Sequence, residues 1–477
     1  MTRYVIMAKR RRRRSRNSRR RRIRNAIRIT LFFLIVAAII GGIILLVSKL
    51  INKGGETGDI GSDAAIEQPA GQEEEKRGFF ARLFKKKDKE QDGLFDEEGN
   101  PLATQPPEPT PTPLPEFSPY SVAGTSPEDF GLETKIEVDG SEMDASQYTA
   151  ADVIDFEEGY KYTQLEGVIT FRGNNFRDSP SYGTASMTEK KFDTSPWTFT
   201  VGSMQKMYGS GSWSGCGWTG QPLLVRWPES TKRIMNMRDW AKQKDGLVEA
   251  IYATMSGNIY FFDAETGQET RDHISTAFPF KGAGALDPRG YPLMYVGSGD
   301  DSPTEGKDTS HAFIISLIDG SVLYEFGKQD SFRIRGLSYF DSSALVDAET
   351  DTLIYPGESG ILYLIKLNTN YDEAAGTISI SPKVTKWRYK GAKNNTDGVA
   401  ASDAFWLGME DSAMIWRGHL IIADNGGHLM CIDLNTLQVK WVQDTLDDTN
   451  CTGVLTLEGE DHHPYVYMST SFHPNWR

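Results

Sequence analysis

Cysteine is scarce in this chain. Cys216, Cys431 and Cys451 are the three present and no two are adjacent, so at least one thiol is left unpaired. Cys431 sits at a strand position and reads as a small core residue. Histidine is also rare, at seven. His462, His463 and His473 are close in sequence but lack metal-ligand spacing with further ligands, which points to solvent-exposed loops. Acidic residues are missing altogether from residues 1–53, which carry 16 Lys plus Arg, and the remainder holds 36 basic against 65 acidic residues. The overall charge of −13 therefore averages a basic start with an acidic remainder of net −29. No Walker-type or Ser/His/Asp arrangement stands out. Gly215-Cys216-Gly217-Trp218-Thr219-Gly220 matches G-x-G-x-x-G, but a strand-like stretch follows it where a nucleotide site needs a helix N-terminus, so it is read as a loop.

One long uncharged stretch is present. Residues 29–48 are mostly apolar and follow an arginine run from Arg10 to Arg28. Twenty residues at about 1.5 Å each span a bilayer core of roughly 30 Å. The positive-inside rule then predicts a cytoplasmic tail over 1–28, a transmembrane helix over 29–48 and an extracytoplasmic remainder. A cleaved signal peptide is the competing reading, but its apolar core is usually shorter and no small-x-small site follows Ser48. The arginines have no folded nucleic-acid module beside them, so topology and anionic lipid explain them and no nucleic-acid partner is expected. Residues 49–120 read as a linker. Its proline-rich part, from Pro101 to Pro119, is extended and semi-rigid. The basic aromatic patch from Lys76 to Lys87 fits either a short interfacial helix or a solvated charge run. A preamble follows over 121–163, with a turn signal at Val138-Asp139-Gly140.

From residue 164 onward the chain repeats itself. Gly427-His428-Leu429-Met430-Cys431-Ile432-Asp433-Leu434-Asn435-Thr436 is an alternating strand running into a turn, and Val439-Lys440-Trp441 returns from it. Gly257 to Gly267, Gly360 to Thr369 and, with Ser310 in place of the glycine, His311 to Gly320 have the same design. The turns start at Asp263, Ser316, Lys366 and Asp433, at steps of 53, 50 and 67 residues. A period of that size in an all-strand reading predicts propeller blades. Upstream of each turn lie small-residue strand starts: Trp218 to Val225, Lys281 to Leu286, Phe340 to Val346 and Glu410 to Ile415. With a second strand after each, as at Leu353-Ile354-Tyr355, every unit has four strands. Small residues suit the inner strand, where blades crowd together, and bulky Trp387 or Trp441 suits the wider outside.

The pattern of an apolar strand, Gly-x-φ-Tyr-φ-φ-Asp-x-x-Thr-Gly and a closing Trp resembles the repeat of PQQ-like, quinoprotein-type β-propellers. Phe171-Arg172-Gly173-Asn174-Asn175-Phe176-Arg177 looks like the segment that opens many members. The resemblance spans residues 164–477 and implies an all-β PQQ-like β-propeller after one transmembrane helix and a linker. Four blades are recognisable. A fifth begins at Asn450 and reaches Met468, and the chain stops at Arg477 before another hairpin. Because relatives close with seven or eight blades, the expectation is a C-terminally incomplete sequence or a ring closed by other means. The family includes dehydrogenases and BamB-type envelope assembly scaffolds, so the fold does not fix the activity.

Under the dehydrogenase reading, PQQ with Ca²⁺ would need a polar pocket, oxygen ligands and an aspartate base. The adjacent cysteine pair that many such relatives carry is missing. Asp341 and Asp411, at matching inner-strand starts, are candidates for an acid/base pair or for backbone hydrogen bonding. The preferred reading is a membrane-anchored extracytoplasmic binding or scaffold module for a cell-envelope protein, peptide or glycan, and the alternative is a quinoprotein-like oxidoreductase. A small-ligand site is expected at Trp218, Lys281, Asp341 and Asp411, where inner-strand starts converge on one channel mouth. No metal site and no catalytic residue is assigned.

Overall fold

The alternating segments pair with their neighbours in sequence, as local hairpins do when turn residues punctuate half-buried strands. The computed structural model describes residues 117–191, 196–306, 309–391 and 407–471. The predicted tail (1–28), membrane span (29–48), most of the linker and His473 lie outside these residues. Among the described residues no helix is long and apolar enough to cross a membrane.

Four antiparallel sheets follow in chain order, and each is a blade. The first runs Leu223–Arg226, Glu249–Ala253, Asn258–Asp263 and Ile274–Ser275. The second runs Ala285–Leu286, Leu293–Gly297, Ala312–Ser316 and Val322–Phe326, the third Leu345–Asp347, Thr352–Pro356, Ile361–Lys366 and Lys383–Lys390, and the fourth Met414–Trp416, His419–Ala423, His428–Asp433 and Gln438–Asp444. A two-stranded hairpin, Val454–Glu458 with His463–Tyr467, begins a fifth unit. Apolar faces pack from blade to blade. Phe326 of the second blade lies edge-on to Tyr355 and Tyr363 of the third, and Trp387 of the third is fully buried.

The repeated turn has a clear cause. Asp263 accepts hydrogen bonds from the Glu265 amide and the Thr266 hydroxyl, while Gly267 takes φ 72°. Asp433 accepts from the Asn435 and Thr436 amides in the same way. The third copy departs from the pattern. After Lys366 the chain makes an extra hairpin, Asn370–Asp372 with Thr377–Ser379, before its outer strand.

Two features join parts distant in sequence. The preamble is part of the third blade: Glu133–Val138 pairs along Lys383–Lys390, and Ser141–Met143 adds one strand more, with Asp139 and Gly140 turning between them. This covers an edge that would otherwise offer unpaired amides and carbonyls. The segment from Glu166 to Arg177 crosses the inner strands in turn. Glu166–Val168 pairs with Leu223–Arg226 of the first blade, the Ile169 carbonyl accepts from Leu286 of the second, and Thr170 donates to Ala344 of the third. The carbonyls of Asn175 and Phe176 accept from Ile415 of the fourth blade and Leu455 of the fifth unit. Arg177, fully buried, donates to the Ala413 and Ser343 carbonyls and to Thr170 and Phe171. The inner strands therefore share one polar spine.

Candidate functional site

Inner-strand starts and the turns between second and third strands meet at one end of the blades. The starts approach so closely that side chains have no room. A Cβ on Gly217 would lie 2.0 Å from the Lys281 carbonyl, one on Gly220 2.3 Å from the Ala283 amide, and one on Gly282 2.6 Å from the Asp341 carbonyl. The glycines of the G-x-G-x-x-G match thus answer to blade packing. Short polar side chains link the starts across blades, with the Ser343 amide donating to Ser412 Oγ and the Ser412 amide to Thr452 Oγ1.

On this frame stands a cluster of charges. Asp341, Glu358 and Glu410 each bring one carboxylate oxygen within 4.8 Å of the others. Asp341 and Glu410 come from the starts of the third and fourth blades, and Glu358 comes from the turn between Thr352–Pro356 and Ile361–Lys366. Lys281 Nζ lies 3.3 Å from Asp341. Arg335 Nη1 lies 3.8 Å from both Glu358 and Glu410 and donates to Asn425 Oδ1. The Asn425 amide nitrogen is shared by Glu410, Asp448 and Asn450, at 3.0, 2.9 and 2.8 Å. Gly299 and Gly408 make room: a Cβ on the first would meet Asp341 Oδ1 at 2.7 Å, and one on the second Arg335 Nη1 at 2.1 Å.

Burial dominates the electrostatics. It pushes the Asp341 carboxyl up to about 6 despite Lys281 beside it. Burial and the two neighbouring carboxylates push Glu358 well above its usual range. Lys281 would be lowered by burial, but Asp341, Glu358 and Glu410 more than reverse this and hold the ammonium charged. Asp341 Oδ1 and Glu358 Oε1 accept nothing from an amide, hydroxyl or cationic group, although Asp341 is 1% and Glu358 2% exposed, and the two carboxyls lie close enough to share the proton that burial keeps on Glu358.

Aromatic rings flank the cluster. Lys281 Nζ sits 5.6 Å from the Trp218 ring centroid and 4.9 Å from that of Tyr339. Trp218 stays 64% exposed, tilted against Trp213 at 6.0 Å. Asp300 fixes the surround by accepting from Trp213 Nε1 and the Tyr339 hydroxyl.

Of the four residues expected at the mouth, Trp218, Lys281 and Asp341 are brought together. Asp411 is not: it is buried, accepts the Ala423 amide at 3.2 Å, and burial drives its carboxyl well above the ordinary range. Its neighbour Glu410 joins the cluster instead. Sequence reasoning missed Glu358, Arg335, Asn425 and Glu410. A signal existed for two of them, since Glu358 and Asn425 each stand two residues before the repeat glycine, Gly360 or Gly427. Cys431 is buried as expected, His462 and His463 are exposed, and all three cysteines are free.

The donors of the cluster are all oxygens, which suits a hard cation and gives no nitrogen or sulfur ligand for a soft one. PQQ fits less well, because its own three carboxylates would meet a mouth whose two cations are already engaged by three.

No protein-family model matches the chain, and no curated protein matches it. Among solved structures, BamB from Moraxella catarrhalis is similar at 11% identity and TM-score 0.27, with 47% of this chain and 55% of that one covered. The quinohemoprotein alcohol dehydrogenase ADHIIG from Pseudomonas putida HK5 is similar at 12% identity and TM-score 0.37, covering 66% and 47% of the two chains. That from Comamonas testosteroni gives 13%, 0.35, 68% and 48%. The chain spans about half the length of each of these proteins. At such distance the fold assignment stands on the sheets themselves: among the described residues four antiparallel sheets form propeller blades.

Proposed function

We propose that the chain is an extracytoplasmic binding module, held to the membrane through residues 29–48, whose channel mouth takes a peptide or glycan of the cell envelope. One observation carries the reading: an exposed tryptophan, Trp218, stands beside a buried cluster in which three carboxylates face two cations. Such a mouth favours a donor-rich ligand. Sugar hydroxyls or a peptide ammonium would supply the hydrogen bonds that the carboxylates lack, and the indole face would carry the C–H surface of a sugar ring or a cationic group. The linker would place this mouth away from the bilayer.

The experiment is a calorimetric titration of the purified full-length chain with soluble wall glycan and with lysine-containing stem peptide. Saturable binding to one of them is expected, weakened at least tenfold in Trp218→Ala and in Glu410→Gln. Saturable binding of PQQ with Ca²⁺, together with dye-linked alcohol oxidation lost in Asp341→Asn, would overturn the proposal in favour of an oxidoreductase.

A further inference from the structure

We infer that the hairpin Ser203–Gln205 with Ser212–Ser214 forms, together with Trp218, a platform for a neutral sugar chain, and that this hairpin selects glycan over peptide at the mouth. The inference rests on the binding-module reading above and names the ligand class of the same site. Three observations carry it. The first is placement. The hairpin forms a sheet of its own outside the blades and is mounted on the turn between the second and third strands of the first blade. There the Gly215 carbonyl accepts from the Met255 amide, Cys216 pairs with Thr254 in an isolated β-bridge, and Gly257 leaves the space that the Met204 side chain fills. That turn is at the mouth end of the blade, so Trp213 is carried to within 6.0 Å of Trp218.

The second observation is exposure. Trp218 is 64% exposed, and at the tip of the hairpin Tyr208 is 65% and Met207 47% exposed. A run of exposed apolar side chains beside a pocket marks a contact surface, where single ones would need no explanation. The third is charge. Lys206 Nζ lies 3.8 Å from the Trp213 ring centroid, and Lys281 Nζ lies 5.6 Å from that of Trp218 and 4.9 Å from that of Tyr339. All three are inside the ~6 Å range of cation–π attraction. The protein's own ammoniums thus hold the positions that a ligand ammonium would seek on these rings, and they repel it. An anionic ligand meets the opposite obstacle. Asp300 accepts from Trp213 Nε1 at 2.7 Å and from the Tyr339 hydroxyl at 3.2 Å, and Asp341 lies 3.3 Å from Lys281. A neutral sugar meets neither. Its hydroxyls both donate and accept, so they face carboxylate and ammonium alike, while its C–H surface covers the open part of Trp218. Because exposed side chains continue to the tip, a chain of several rings gains contacts that a short one does not reach.

The test titrates the full-length chain by calorimetry with two neutral probes, chitotetraose and chitobiose, and with a lysine-containing stem peptide. The tetramer is expected to bind at least tenfold tighter than the peptide. Trp213→Ala should weaken the tetramer at least tenfold. Tyr208→Ala, at an exposed tip where folding is not at risk, should weaken the tetramer at least threefold and leave the dimer unchanged, a length dependence that a structural role would not produce. Lys206→Met, which frees a face of Trp213 and removes one repelling charge, should narrow the preference for tetramer over peptide at least threefold. Peptide binding tighter than tetramer binding would overturn the inference while upholding the binding-module reading. So would tetramer binding left unchanged by either Trp213→Ala or Tyr208→Ala. Failure of all three probes to bind would overturn both.

Discussion

Replacing Arg177 with methionine tests whether the crossing segment holds the blades together. The guanidinium is fully buried without a carboxylate partner and gives hydrogen bonds of 2.8 Å to the Ala413 carbonyl, 2.9 Å to Phe171, 3.0 Å to Ser343 and 2.9 Å to the Thr170 hydroxyl. Burial pushes it down to about 10, so it stays protonated at neutral pH. Methionine fills similar volume and removes the cost of burying a charge, but it leaves three carbonyls without this donor. At about 1–3 kcal/mol for each buried acceptor left unpaired, a net loss of roughly 5 kcal/mol is expected. Urea unfolding followed by fluorescence of the buried Trp387 and Trp416 would read this directly. With a slope of about 3 kcal/mol/M, the midpoint falls by roughly 1.7 M. Arg177→Lys keeps the charge but not the planar fork and should lie between the two. A midpoint for Arg177→Met within about 0.3 M of wild type, at unchanged slope, would refute the spine.

Two further outcomes follow from the repeats. Asp433 is raised by burial but lowered further by Lys440 and by the Asn435 amide, so its folded-state value lies below the ordinary 3.8. A depressed carboxylate contributes stability above its unfolded value that is lost as pH falls through the folded one. Asp433→Asn should therefore cost about 1 kcal/mol at pH 7, and its melting curve should converge on that of wild type as the pH falls through the folded-state value, below the ordinary carboxylate range. Gly220→Ala drives a Cβ to within 2.3 Å of the Ala283 amide. It should destabilise by about 1–3 kcal/mol, as overpacking does, and shift Trp218 fluorescence because the loop carrying that ring must move. Gly246→Ala, at a glycine with φ 65° and open space around it, separates the two causes: it brings backbone strain without the fluorescence change.

The blades were legible because their signals are local. A strand, a turn aspartate and a glycine with positive φ lie within a dozen residues of one another, so Asp263 with Gly267 and Asp433 with Thr436 could be read as turns without knowledge of the fold. The small residues before each inner strand were legible for a steric reason that the positions of Gly217, Gly220 and Gly282 bear out. What could not be read was pairing between distant stretches. Nothing in Glu133–Val138 says that its partner is Lys383–Lys390, and Phe171 to Arg177 reads as an opening motif while its carbonyls and guanidinium serve inner strands more than 160 residues away.

The mouth lies between these two cases. Trp218, Lys281 and Asp341 lie together because inner-strand starts converge, a deduction from radial geometry alone. Asp411 matches Asp341 in sequence yet turns to the Ala423 amide, so equivalent positions in two blades need not share a direction. Glu358 and Asn425 show the converse: they occupy the same place in the repeat, face the same mouth and differ in chemistry. In a repeated fold, residues shared between copies serve the blade, as the turn aspartates Asp263 and Asp433 do. Positions that share geometry but vary in residue type are free to serve a ligand. By that criterion the turns between second and third strands, more than the inner-strand starts, are where the blades differ in the groups they bring to the mouth, and exchanging Glu358 and Asn425 should move the anionic centre from one blade to the next while leaving both hairpins folded.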